Sequence, residues 1–123
     1  MAEAGFWVAW GIPARGRERQ ALDLLKETPR YLERLVRDGR IERFDTAILK
    51  PQSTELGGFL LIQGTAAQID GLRRDNDFQR GVSQVQLLAD RVGIVDAWVN
   101  EGLGEATDLY EDALRKLDGP APG

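Results

Sequence analysis

The 123-residue sequence predicts a single α+β domain, in which helices cover one antiparallel sheet. Three observations support this prediction. Four short segments are rich in β-branched and aromatic residues, and two of these segments are apolar on both faces. The segments between and after them repeat apolar residues at helical spacing. We expect residues 1–118 to form this domain and residues 119–123 to be a disordered tail.

The first strand is predicted over Phe6–Pro13, "FWVAWGIP", where alternate positions are apolar on both faces. A helical region follows from Arg15 to Gly39, and Pro29 interrupts its apolar stripe. Two interpretations fit the proline. Either a second helix begins there, with Thr28 as its N-cap, or one long helix is kinked.

The second half of the chain predicts three more strands. Arg40–Pro51 and Gly58–Gly64 form an antiparallel hairpin joined by the polar loop "QSTELGG", and Arg91–Asn100 is the last strand. Thr65 can cap the helix that follows the third strand, and a break is expected at Asn76 or Asp77. The final segment, "EATDLYEDALRKLDG", predicts an amphipathic helix after the last strand.

The resulting order, β-α-β-β-α-β with an extra C-terminal helix, is the ferredoxin-like arrangement. This topology places the first and third strands in the middle of the sheet, and these are the strands that are apolar on both faces. Because helices cover only one face, the other would expose more than the few hundred Å² of apolar surface that monomers tolerate. The predicted cover is a second copy, sheet against sheet, with the C-terminal helix as the alternative.

The segments "FWVAWGIPARGRE", "FLLIQGTAAQIDGL" and "DFQRGVSQVQLLADRVGIVDAWV" resemble the dimeric α/β-barrel superfamily across Phe6–Val99. The resemblance implies a homodimer with a small pocket between sheet and helices or near the barrel centre. It also implies a range of functions: cofactor-free monooxygenases, isomerases and cyclases, haem-handling enzymes, and stress-induced proteins. The haem-handling members usually depend on a histidine, which this chain lacks.

The amino-acid composition excludes several kinds of catalytic and metal site and argues against some partners. The chain has no cysteine and no histidine, which excludes thiolate nucleophiles, Ser-His-Asp triads and the usual zinc sites. The net charge of -4 argues against nucleic-acid or anionic-membrane partners. No apolar run is long enough to span a bilayer and no signal peptide is evident, so we expect a cytoplasmic protein. No cofactor is expected.

Asp96 and Arg43 are the candidate catalytic residues. A carboxylate enclosed between Ile94 and Trp98 would have a raised pKa and could act as a general acid or base. Paired with Arg43, Asp96 would instead stay ionised and structural. The competing interpretation is that Asp96 meets water or an arginine on an edge strand, and that Arg43 and Asp45 form a solvated pair.

Trp7, Trp10, Trp98 and Gln63 are the candidate ligand-binding residues. Trp7 and Trp10 point to opposite faces of the first strand, so one of them is expected beside Trp98 on the neighbouring fourth strand. Such a pair would suit a planar aromatic ligand. The competing and favoured interpretation is that these are large core or dimer-interface residues, because tryptophan is common in both settings.

Two functions remain open at this stage. The first is a cofactor-free enzyme acting on a small molecule, such as an aromatic one, which predicts a closed cavity with Asp96 exposed into it. The second is a non-catalytic ligand-binding or stress-response dimer, which predicts a filled interior and polar strand residues facing water.

Overall fold

Two strands that are apolar on both faces occupy the middle of the sheet. The computed structural model describes residues 2–51 and 56–119. Part of the predicted "QSTELGG" loop and most of the predicted tail lie outside these residues. The elements run as follows: β1 (Ala4–Trp10), α1 (Glu18–Arg37), β2 (Arg43–Ile48), β3 (Gly58–Gly64), α2 (Ala66–Arg73), α3 (Asn76–Leu88), β4 (Gly93–Trp98), a 3-10 turn (Asn100–Gly102) and α4 (Leu103–Asp118).

The strands pair in the order β2-β3-β1-β4, and every pairing is antiparallel. The predicted α+β, ferredoxin-like order and the central position of the first and third strands are therefore confirmed. Phe6 lies opposite Ile62, and Val8 lies opposite Leu60, so these side chains share the face that the helices cover. The residues between them point to the other face, which we call the open face.

The core lies between the sheet and helices α1, α2 and α3. Phe6 stacks on Phe78 of α3 with 5.5 Å between ring centroids. The buried cluster contains Phe6, Val8, Leu32, Leu35, Ile41, Leu60, Ile62, Ile69, Leu72 and Phe78. Because every strand and every α-helix except α4 contributes to or flanks this cluster, burial of apolar area holds the two layers together.

The α1 segment is one helix of 20 residues that continues through Pro29. The Thr28 hydroxyl donates to the carbonyl of Leu24 at 2.7 Å, so Thr28 is an interior residue and not the N-cap of a second helix. Of the two interpretations of Pro29, the single long helix is the one observed. Pro29 has no N–H to donate to the carbonyl of Leu25, and packing of the apolar stripe compensates for that loss.

The break between α2 and α3 falls one residue earlier than predicted, at Asp75. Thr65 caps α2 in a capping box with Gln68, as expected. The Asp75 carboxylate caps α3 by accepting the backbone N–H of Asp77 at 2.8 Å, and it also pairs with Arg40. The backbone N–H and the Arg40 guanidinium together lower the pKa of Asp75.

The C-terminal helix does not cover the open face, so that alternative is wrong. No residue of α4 is buried, and the helix contacts mainly β4 and the 3-10 turn before it. Its apolar residues Leu109, Tyr110, Leu114 and Leu117 are all exposed. On the open face, the rings of Trp7 and Phe59 lie 6.1 Å apart and are only half-buried, and Val95 is 52% exposed. Across the two described ranges, no helix is both long and apolar enough to cross a membrane.

Gly102 sets the point at which α4 leaves the sheet. A Cβ at this position would collide with the backbone carbonyl of Glu3, whereas a Cβ at Gly104 would meet nothing within 4 Å. We therefore expect Gly102→Ala to lower the free energy of unfolding by about 1–3 kcal/mol through steric strain. The matched variant Gly104→Ala should be neutral or should stabilise by up to about 1 kcal/mol through helix propensity. Urea denaturation checks both, and equal effects at the two positions would contradict this role of Gly102.

Asp75 provides a prediction about pH. Because its folded pKa is lowered, its contribution is fully present above the unfolded pKa of about 3.8 and is lost as the pH falls through the folded value. We expect Asp75→Ala to cost about 0.5–2 kcal/mol at pH 7 and clearly less under strongly acidic conditions. Asp75→Asn keeps the cap but loses the charge that faces Arg40, so it should cost less at pH 7. Denaturation curves at both pH values test this, and a pH-independent cost of Asp75→Ala would contradict it.

Candidate functional site

A cleft lies between α1, α3 and the helix-covered face of the sheet. It has two neighbouring compartments, one of about 320 Å³ and one of about 530 Å³. We call the first the apolar lobe and the second the Tyr31 lobe. The two lobes share the lining residues Val8, Leu24, Thr28, Leu60 and Val85. The two compartments leave space between α1, α3 and the sheet.

The apolar lobe lies where β1 ends and α1 begins. Its walls include Trp10, Ile12, Leu25, Ile48 and Leu88. The polar side chains among its described lining residues are Glu18, Thr28 and Thr46, apart from the indole N–H. The Thr28 hydroxyl already donates within α1. Such walls can stabilise an apolar molecule through area burial and offer few fixed polar contacts.

Small residues position Trp10 in this lobe. A Cβ at Gly58 would collide with the Trp10 indole and the carbonyl of Ala47, and a Cβ at Gly57 would collide with the carbonyl of Gly11. Glycine at these positions therefore lets the indole lie against β3. On the opposite wall, Ala21 of α1 leaves space that a larger side chain would fill.

A buried polar group belongs to a residue in the wall of the Tyr31 lobe. The Tyr31 hydroxyl oxygen is closed to solvent and has no hydrogen-bond partner among residues 2–51 and 56–119. Burial raises the pKa of this phenol, and the Asp75 carboxylate raises it further. The Arg34 guanidinium lies over the Tyr31 ring, 5.8 Å from its centroid. The tyrosine therefore stays protonated at neutral pH and can act as a hydrogen-bond donor.

Charged side chains at the rim of the Tyr31 lobe have mixed signs. Glu27, Arg30, Arg34, Asp77 and Arg80 all contribute to the lining. Asp77 and Arg80 form an exposed ion pair at 2.5 Å within one turn of α3. The rim therefore presents no strong field of one sign.

The predicted catalytic pair is not assembled. Asp96 lies opposite Phe6 on the helix-covered face of edge strand β4, whereas Arg43 lies opposite Gln63 on the open face of edge strand β2. Asp96 instead accepts from Arg73 at 2.8 Å, and this bond raises the pKa of Arg73. Asp96 is exposed and lines neither lobe of the cleft. The competing interpretation, an edge-strand carboxylate that meets an arginine, is the one observed.

Arg43 forms the solvated pair that the sequence also suggested. Its guanidinium contacts both carboxylate oxygens of Asp45 at 2.9 Å, and both side chains are at least half exposed. Gln63 is 4% exposed and joins this pair, since its amide donates to Asp45 at 2.8 Å and accepts from Asn100 at 3.0 Å. This network ties the turn after β4 to the open face, away from the cleft.

The expected tryptophan pair is also not formed. Trp7 lies on the open face, opposite Leu61 and Val95. Trp10 and Trp98 share the helix-covered face, but Trp98 lies opposite Ala4, six residues along β1 from Trp10, or about 20 Å. Of the three tryptophans, Trp10 lines the cleft, and Trp98 borders a separate surface groove with Asp96 and Glu105. Across the described residues, no group of three or more acidic side chains could hold a metal ion.

Tyr31 is the residue that the sequence analysis missed. One face of α1 carries a series of residues at helical spacing: Leu24, Thr28, Tyr31 and Leu35. Tyr31 has the one aromatic hydroxyl in that series. A polar-tipped aromatic side chain on the buried stripe of a helix is a signal that the sequence does contain.

Comparison with known proteins places the fold. No family model and no curated protein matches the chain. Hydroxynitrile lyase from Passiflora edulis has a TM-score of 0.62 at 8% identity, covering 80% of this chain and 95% of its own. A dimeric ferredoxin-like protein of unknown function from Jannaschia sp. CCS1 has a TM-score of 0.60 at 16% identity, covering 78% and 99%. Another from Bacteroides fragilis NCTC 9343 has a TM-score of 0.58 at 7% identity, covering 78% and 96%. The resemblance to dimeric ferredoxin-like proteins is therefore confirmed at the level of the fold.

Proposed function

We propose that this protein binds a small, mainly apolar molecule, such as an aromatic ring system, in the sheet–helix cleft, and that it does so as a homodimer. The observation that carries the proposal is the apolar lobe. Its volume of about 320 Å³ falls within the range of about 300–1,000 Å³ that is typical of ligand sites. Of the residues that the sequence singled out, Trp10 belongs to this site and supplies a flat aromatic wall.

The homodimer is supported by two uncovered apolar surfaces. The open face presents half-buried Trp7, Phe59 and Leu61 together with exposed Val95, and α4 presents an apolar stripe with no buried residue. A helix of 16 residues is marginal in water without packing, so its stripe needs a partner surface. Proteins of this fold from two bacteria are described as dimeric, which agrees with a sheet-to-sheet pair.

A cofactor-free enzyme is the second candidate. One protein with this fold is a hydroxynitrile lyase, and the Tyr31 phenol offers a proton donor beside the cleft. We prefer a binding role to a catalytic one because the apolar lobe offers few acid–base groups. Glu18 is the one carboxylate among its described lining residues. Asp96 and Arg43 stay outside this proposal, since neither lines the cleft.

Filling the apolar lobe tests the proposal. We expect Ala21→Trp to weaken the binding of 2-isopropylnaphthalene at least tenfold, because the new indole occupies the space between α1 and Trp10. The matched control Ala67→Trp, on the exposed surface of α2, should bind like the parent. Titration followed by protein NMR measures both affinities and confirms that each variant is folded. The proposal is wrong if the parent binds no neutral naphthalene, or if Ala21→Trp binds as the parent does.

A further inference from the structure

We infer that the Tyr31 hydroxyl is the polar recognition group of the cleft, and that the ligand is an uncharged apolar molecule with a carbonyl oxygen at one end. The inference rests on the proposed function, because it assigns the class of molecule that the cleft would bind. It starts from one buried polar atom and the charges and packing around it.

The Tyr31 hydroxyl is unusual because it is buried and has no hydrogen-bond partner among the described residues. Buried polar atoms in proteins nearly always have a hydrogen-bond partner, and leaving one without a partner is destabilising. In the described chain, this oxygen is the buried side-chain atom without one, although its ring packs against the core. A ligand atom that accepts its hydrogen would remove that penalty and would gain affinity from doing so.

The required ligand atom is an acceptor. Burial and the Asp75 carboxylate raise the pKa of Tyr31, so the phenol carries its proton at neutral pH. A carbonyl oxygen accepts a hydrogen bond from the phenol O–H without adding a donor that the cleft would leave unpaired. The rest of the molecule would extend from the Tyr31 lobe into the apolar lobe, since the two lobes share Val8, Thr28 and Leu60.

The charges around the hydroxyl favour an uncharged ligand. Asp75 and Asp77 act on the phenol from the start of α3, and Arg34 and Arg40 act with the opposite sign. The Asp75 carboxylate has the largest effect of these four groups. An anionic oxygen at this position would be repelled by Asp75 and would lose its hydration, whereas a carbonyl oxygen avoids both costs.

The hydroxyl oxygen is closed to solvent, so the inference requires a wall of the Tyr31 lobe to move before a ligand can reach it. We assign this movement to α3, which lines the lobe with Phe78, Gly81 and Val82. This helix has one buried residue, Phe78, and the space beside Gly81 is empty within 4 Å of an added Cβ. Helices with so few buried contacts are the elements that open most easily.

Two tyrosine variants and three ligands test the inference. The ligands are 2-acetonaphthone, which has the carbonyl; 2-isopropylnaphthalene, which has a similar shape without oxygen; and 2-naphthoate, which is anionic. We expect the parent to bind the ketone about tenfold more tightly than the hydrocarbon, and Tyr31→Phe to remove this preference by weakening only the ketone. Tyr110→Phe, on the exposed surface of α4, should keep it. The naphthoate should bind no better than the hydrocarbon.

A second measurement separates recognition from a structural role. Because the unpartnered hydroxyl is destabilising, Tyr31→Phe should match or exceed the parent in its free energy of unfolding without ligand. The chain has two tyrosines, so selective ¹³C labelling gives two signals, and only that of Tyr31 should shift when the ketone binds. The inference is overturned if Tyr31→Phe keeps the ketone preference, or if it weakens ketone and hydrocarbon equally. Failure of all three ligands to bind the parent would overturn the proposed function as well, and hydrocarbon binding without a ketone preference would overturn the inference alone.

Discussion

The structure depends on the pairing of β1 with β3, two strands whose side chains are apolar on both faces. Their register places Phe6, Val8, Leu60 and Ile62 toward the helices and Trp7, Phe59 and Leu61 toward the open face. A one-residue slip would exchange the two sets, so the pairing fixes what each layer must cover. Three helices cover the face that carries Phe6 and Val8, whereas no described element of the same chain buries the open face.

The same arrangement creates the cleft. α1 and α3 lie over the β1 and β3 side chains, and the small side chain of Ala21 leaves space in the apolar lobe between α1 and the sheet. Trp10 lines the apolar lobe, and Tyr31 lines the neighbouring Tyr31 lobe. The proposed ligand cleft and the proposed dimer surface therefore lie on opposite faces of one sheet, so pairing through the open face would leave the cleft unblocked.

Much of the fold could be predicted from the sequence, because the spacing of apolar residues indicates which positions of a strand or helix are buried. The bounds of β3 and the cap of α2 at Thr65 were predicted correctly, since turn chemistry and apolar runs mark both. The edge strands β2 and β4 are shorter than predicted, because the paired residues are limited to Arg43–Ile48 and Gly93–Trp98. α4 begins earlier than predicted, since Gly102 packs directly against the Glu3 backbone.

The site was harder to predict, because it depends on contacts between distant segments. Alternation gave the face of Asp96 but could not show that Arg73 of α2 reaches it, or that Arg43 lies across the sheet. It likewise could not give the offset between Trp10 and Trp98, which antiparallel register determines.

Sedimentation of the parent and of Val95→Arg from dilute to concentrated solution tests the central claim most directly. Val95 is 52% exposed within one subunit, so the arginine should leave the fold intact and act only on the pairing of open faces. The account predicts that the parent sediments at twice the subunit mass and that the variant sediments as a folded single subunit. A parent that remains a single subunit at every concentration, or a variant that pairs as the parent does, would contradict it.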